Sequence, residues 1–305
     1  MLDPMPVFHF PFRAMAAENE LQLVAADEAT AARVAQVAIA DVARIEAKYS
    51  RYRDDSVTTR INRAAGGAPV AIDAETAALL RYAERCHDIS GGRFDITSGV
   101  LRRAWDFKRK PPRVPGADEL AAVVELIDWP SVEWSEHSVR LPKPGMEVDF
   151  GGIGKEYAVD RAATICADAG IRGAVVNLAG DVRVIGAQEH GAPWRVGIQH
   201  PRREGEAIAY VEVTDAAVAT SGDYERFFEV DGRRYCHIID ARSGMPVGTW
   251  QSVSVVAPLC VLAGSCSTIA MLLGDGAEAF LRNEQVRYVA VAADGSLRTD
   301  GAATR

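Results

Sequence analysis

Asp149-Phe150-Gly151-Gly152-Ile153-Gly154-Lys155-Glu156-Tyr157 sets three glycines between the end of a strand and the start of a helix. Glycine lets a phosphate approach the backbone closely, and unpaired N–H groups at a helix start face an anion. The spacing fits neither the dinucleotide fingerprint nor the P-loop. On these residues alone, a tight strand-to-helix turn and an anion site both stand. Downstream, Ala158, Ala162, Ile165 and Ala169 keep helical spacing until Gly170, and Ala174 to Leu178 then form a buried strand.

Working outward, residues 19–25 alternate as a strand, and Val34, Ala38, Val42, Ile45 and Tyr49 mark an amphipathic helix over 27–49. Asp73 is a candidate N-cap for a second helical stripe through Leu79, Ala83, Cys86 and Ile89. Pro111, Pro112 and Pro115 make 108–116 a surface loop. That loop is where a single domain over 1–305 would divide into two intimately associated lobes, 1–110 and 145–305. Short strands run from Trp194 to Ala257, a helix carries Leu262, Cys266, Ile269 and Leu273, and Val286 to Ala293 is a late strand closed by Asp294-Gly295. Helices and antiparallel strands segregate, which predicts an α+β fold.

The 305 residues are 48% hydrophobic, enough for a substantial core, and the formal charge of -8 is spread without a basic run, which argues against nucleic acid as a partner. No basic start followed by an apolar stretch marks a secretory signal, and no segment approaches the roughly twenty apolar residues of a membrane span. A cytoplasmic location is therefore expected. The five cysteines, Cys86, Cys166, Cys236, Cys260 and Cys266, are unclustered and read as reduced core thiols.

Three further segments carry polar chemistry. Thr220-Ser221-Gly222-Asp223-Tyr224 offers hydroxyls and amides for a ribityl chain or phosphate, or is a capped turn. His237-Ile238-Ile239-Asp240 could present a general acid or base, or a structural histidine. Gly91-Gly92-Arg93-Phe94-Asp95-Ile96-Thr97 pairs an aromatic ring and a carboxylate with a flexible turn, suited to a flavin or adenine edge or to capping the next helix.

Taken together, Ala14-Met15, Ser50-Arg51-Tyr52, Gly92 to Asp95, Asp149 to Tyr157, Asn177 to Asp181, Thr220 to Tyr224, His237 to Gly244 and Ser267-Thr268 resemble, in order and spacing, the FAD:protein FMN transferase (ApbE) family along nearly the whole chain. The resemblance implies an ApbE-like, T-fold-related arrangement of mixed antiparallel sheets with packed helices. It implies that Met15, Tyr52, Arg93, Phe94, Asp95, Gly151, Lys155, Tyr157, Thr220, His237 and Ile238 line a site for FAD as substrate. By the same resemblance, the Gly154 carbonyl and the Thr268 hydroxyl face Mg2+, and His237 is the base that activates a Thr or Ser hydroxyl of a target protein while AMP leaves. A hard cation with oxygen ligands suits a reaction that builds charge on phosphoryl oxygens. Two other outcomes of the same pocket are an FAD carrier with reduced turnover and an FAD pyrophosphatase giving FMN and AMP.

The sequence departs from the family pattern at Gly264, where an aspartate four residues before the threonine usually supplies the charged magnesium ligand. Glu156 stands where a glycine is common. A glutamate in a first helical turn is ordinarily solvated, and that is the expectation here; the alternative is that it returns the missing charge. Ala179 replaces a glycine beside Gly180, and Ala241 a proline after Asp240, changes of turn stiffness rather than chemistry.

Overall fold

The computed structural model describes residues 5–188 and 191–300, so the extreme ends of the expected 1–305 domain lie outside the described residues. The first elements are a hairpin of β1 (Val7–Ala14) and β2 (Ala17–Val24). Its two turn residues, Met15 and Ala16, sit at φ 54° and 61°, the turn geometry that matches strand twist. Asn19 fastens it by donating to the Ala14 and Ala17 carbonyls.

Helix α1 (Glu28–Tyr49) starts at Asp27, whose carboxylate accepts the Thr30 N–H, and it buries Val34, Ala38, Val42, Ile45 and Tyr49 as the periodicity predicts. Helix α2 (Val57–Arg63) and strand β3 (Val70–Ala71) lead to α3 (Ala74–Ile89), capped by Asp73 in the same way. After the proline-rich loop comes a helix the periodicity did not reveal, α4 (Ala117–Val124). Strands β4 (Glu133–Trp134) and β5 (Ser138–Arg140) join β3 in a small sheet. Then follow α5 (Gly154–Asp168), β6 (Gly173–Leu178), β7 (Asp181–Ile185), the hairpin β8 (Trp194–Gln199) and β9 (Ala207–Val213), and β10 (Ala217–Gly222). Two small hairpins, β11 (Phe227–Val230) with β12 (Arg233–Cys236) and β13 (Ile239–Asp240) with β14 (Met245–Pro246), precede β15 (Trp250–Ala257). The chain continues through α6 (Cys260–Leu273), α7 (Ala277–Asn283), β16 (Arg287–Ala292) and β17 (Leu297–Thr299).

The main sheet has eight strands in the order β1-β2-β6-β7-β10-β15-β16-β17, each antiparallel to its neighbour. This is the α+β segregation expected. Side chains alternate across it. Ala217, Ala219, Val253 and Val255 face the layer of α1, α5 and α6, whereas Val218 and Val256 face Trp194, Ile198 and Val211 of the β8–β9 hairpin. A third cluster gathers Trp105, Leu120, Phe228 and Tyr235, with the Trp105 indole N–H donating to the Gly244 carbonyl at 2.7 Å.

The helical run Cys260–Asn283 is long and apolar enough to cross a membrane by composition, yet most of its apolar window is buried. Its α6 portion packs on β10 and β15, which is why it is apolar on nearly every face. All five cysteines are buried and unpaired, and burial pushes the Cys166 thiol up to about 12.

Ala179 occupies φ 51° ahead of Gly180 at φ 90° in the β6–β7 turn. An L side chain is strained there. Ala179→Gly is expected to raise stability by about 1 kcal/mol in urea denaturation, less the entropy a glycine adds to the unfolded chain; a loss of stability would contradict the strain.

Candidate active site

The glycine segment forms a short 3-10 turn, Phe150–Gly152, in which the Gly151 N–H donates to the Asp149 carboxylate at 2.9 Å. Asp149 is also ion-paired with Arg51. Gly151 and Gly152 are exposed, and a Cβ on Gly152 would lie 3.2 Å from the Phe94 ring, so glycine keeps that approach open. No side chain caps the start of α5. Its first N–H groups are therefore left for an anion.

Lys155 reaches Asp181, a 3% exposed residue at the start of β7, at 2.6 Å. Burial pulls the lysine pKa down, but the Asp181 and Glu156 carboxylates outweigh it and hold the ammonium protonated. Glu156 corrects the expectation of a solvated first-turn residue, since it is 8% exposed. Its side chain crosses to α6, where a Cβ on Gly264 would lie 2.6 Å from its Cγ and 2.9 Å from its Oε1. Burial first, and the Asp181 charge second, hold its carboxyl above the usual range, with Lys155 opposing. Its Oε2 has no hydrogen-bond partner. Asp160, one turn further along α5 on the same face, also points at α6 and accepts the Cys260 and Val261 N–H groups at 2.8 and 2.9 Å.

The facing wall comes from α6 and β10. Thr268 lies one turn beyond Gly264, and its Oγ1 is 2.8 Å from Ser221 Oγ, which is equally close to Ser267 Oγ. Thr220 points to the opposite face of the sheet, where its hydroxyl lies 2.8 Å from that of Ser254. Strand alternation thus puts Ser221, not Thr220, beside Thr268. Gly154 is the first residue of α5, so its carbonyl enters the helix ladder with one lone pair and keeps the other.

The remaining expected residues spread around this seam. Tyr157 is turned toward α1 and α3, and its hydroxyl donates to Glu75 at 2.8 Å. Arg44, against the effect of burial, and then Lys48 and Tyr157 hold that carboxyl down to about 2. The Asp95 carboxylate is occupied by the Thr97 N–H and hydroxyl and the Trp129 N–H, and Arg93 lies 3.4 Å from Asp240. A shallow cleft of about 450 Å³ beside Asp95 is lined also by His87, Gly91, Gly92 and Arg242. Tyr52 is 79% exposed with Arg51 5.0 Å over its ring, a flat plate open to a ligand. Met15 sits half-buried at the β1–β2 tip.

His237 follows β12, its backbone N–H donating to the Arg226 carbonyl and its Nδ1 without a partner. Burial, then the Arg226 charge and more weakly Lys155, push its pKa to about 4. Ile238 beside it is buried. Asp181 is the seam residue to which sequence reasoning gave no role. The only signal for it was its place in the Asn177-to-Asp181 motif.

Among the described residues, no group of three or more His, Cys, Asp or Glu could hold a metal. A hard cation at this seam would therefore share its ligands with a substrate, as Mg2+ does when one or two carboxylates and phosphate oxygens hold it. The orphaned Glu156 oxygen and the Thr268 hydroxyl suit that arrangement.

The N-terminus of α5 and the Thr268 hydroxyl of α6 thus meet on one face of an antiparallel sheet, and the fold that brings them together is shared with flavin transferases. A flavinyl transferase ApbE from Pseudomonas stutzeri superposes with a TM-score of 0.88 at 26% identity, covering 99% of this chain and 97% of that one. The ApbE protein of Thermotoga maritima does so with a TM-score of 0.88 at 30% identity, covering 97% of each chain. In sequence, an FAD:protein FMN transferase of Treponema pallidum is 35% identical over 246 residues, which is 75% of this chain and 68% of that protein. One from Vibrio cholerae is 33% identical over 234 residues, 75% and 70% of the two. The model of the ApbE family matches residues 15–303. The chain belongs to the ApbE family.

Proposed function

We propose that this protein is an FAD:protein FMN transferase that attaches the FMN half of FAD to a Thr or Ser hydroxyl of a target protein and releases AMP. The observation that supports this most is the meeting of the glycine turn and α5 N-terminus with the Thr268–Ser221 hydroxyl pair, joined by Glu156 seated on Gly264. The names of the relatives supply the reaction class.

On this reading Gly151 and Gly152 admit the pyrophosphate to the uncapped N–H groups of α5, and Lys155 adds positive charge beside it. Tyr52, Met15 and Phe94 offer apolar surface to the flavin rings. The Gly154 carbonyl and Thr268 hydroxyl would hold Mg2+, which when bound would neutralise charge developing on the phosphoryl oxygens. His237, neutral above about pH 4, takes the proton of the acceptor hydroxyl. The hydroxyl oxygen bonds to the FMN phosphorus, the bond to the bridging oxygen breaks, and that oxygen leaves on AMP.

Incubation with FAD, Mg2+ and an acceptor flavoprotein is expected to give a flavin-fluorescent acceptor band that survives denaturing electrophoresis. AMP formed without any such band would assign hydrolysis instead, and FAD retained intact would assign a carrier.

Because Glu156 fills the space over Gly264, Gly264→Asp alone is expected to destabilise the protein by about 1–3 kcal/mol through overpacking and a further buried carboxylate. A thermal melt unchanged from wild type would show that the recess is larger than the geometry indicates.

A further inference from the structure

Glu156 is more than nine-tenths buried, and one of its carboxylate oxygens has no partner. A buried carboxylate oxygen without a donor is costly, and native structures rarely leave one. Its surroundings do not relieve it. Asp181 is a second buried carboxylate, and the one nearby ammonium, Lys155, is engaged with Asp181 at 2.6 Å. The next carboxylate on the same helix face, Asp160, is fully committed to Arg183 and to the first N–H groups of α6. Two buried carboxyl groups crowd one ammonium here, and oxygen atoms are what a hard divalent cation binds.

Gly264 explains why the carboxylate is here. Any side chain at that position would overlap Glu156 at 2.6 Å, so the glycine is a recess in α6 that admits the α5 carboxylate to within one helical turn of Thr268. The two residues are complementary, one large and anionic, one absent.

We infer that Glu156 is the charged oxygen ligand of the divalent cation in this protein, delivered from α5 through the recess at Gly264. The inference rests on the transferase reading above, which supplies both the cation and the phosphate oxygens that complete its coordination. Glu156→Gln keeps the shape of the side chain and removes its charge, so it separates ligation from packing.

Mn2+, read by its electron paramagnetic resonance signal, serves as the probe. Glu156→Gln is expected to weaken Mn2+ binding by at least about tenfold, with the thermal melt and the binding of FAD without metal preserved. The exchange Glu156→Gly with Gly264→Asp, which moves the carboxylate from α5 to α6 within the same volume, is expected to restore Mn2+ binding. Wild-type Mn2+ affinity in Glu156→Gln overturns the inference, as does wild-type protein that binds no Mn2+. If Glu156→Gln does not fold, the exchange variant decides, and its failure to bind Mn2+ while folded overturns the inference equally. Glu156-dependent Mn2+ binding without a flavinylated acceptor would retain the ligand and reject the transferase. Flavinylation with Mn2+ binding indifferent to Glu156 would do the reverse.

Discussion

His237→Ala is expected to lower FMN transfer by about 10²- to 10⁴-fold, the range lost when a positioned general base is removed, with FAD still bound. The wild-type pH profile gives the complementary signature. Burial and the Arg226 charge hold the imidazole pKa to about 4, so kcat/KM should hold its plateau through pH 6.5 and fall only on approaching pH 4. Stability carries the same sign. The unfolded chain takes up a proton on this histidine near pH 6.5 but the folded one only near 4, so folding weakens as pH falls through that window, by up to about 3 kcal/mol from this group. The alanine variant loses that part of the slope. Transfer at the wild-type rate in His237→Ala would remove the residue from the chemistry.

Asp160→Ala carries the largest expected effect on stability. The carboxylate is 8% exposed, pairs with Arg183 and accepts two N–H groups at the start of α6, a helix with no cap from its own flanking residues. Its removal leaves a partly buried guanidinium and two amides unpaired, a loss of about 3 kcal/mol. Asp160→Asn, which keeps an acceptor oxygen, is expected to lose less. Urea denaturation of the two variants checks the order, and a loss below about 1 kcal/mol for alanine would mean that α6 is held by packing alone.

The elements that declared themselves in the sequence were those with local signals. Helices α1 and α3 had apolar stripes and aspartate caps, and β6 was a short apolar run between glycines. Strand β1 was missed although Phe8, Phe10 and Phe12 alternate along it, because Pro11 interrupts the run, as an edge strand permits. Helix α4 buries only Leu120, too little to set a periodicity.

At the site the sequence showed the glycine turn, Lys155 and Thr268, but not which way neighbouring side chains face. Thr220 and Ser221 differ by one residue on a strand, and only the pairing of β10 with β15 decides which of them meets α6. Tyr157 and Glu156 are adjacent on a helix, where one step turns a side chain by about 100°, so one faces Glu75 and the other Gly264. The burial of Glu156 was hidden because it is decided by a missing side chain far along the chain.

The central claim is that a flavin dinucleotide lies with its pyrophosphate between the turn at Gly151–Lys155 and the helix bearing Thr268. A crystal structure with FAD and Mg2+ bound tests it most directly. The account predicts phosphoryl oxygens at the α5 N-terminus and a cation within ligand distance of Thr268. A pyrophosphate lodged elsewhere, such as the cleft between Asp95 and Arg242, would contradict it.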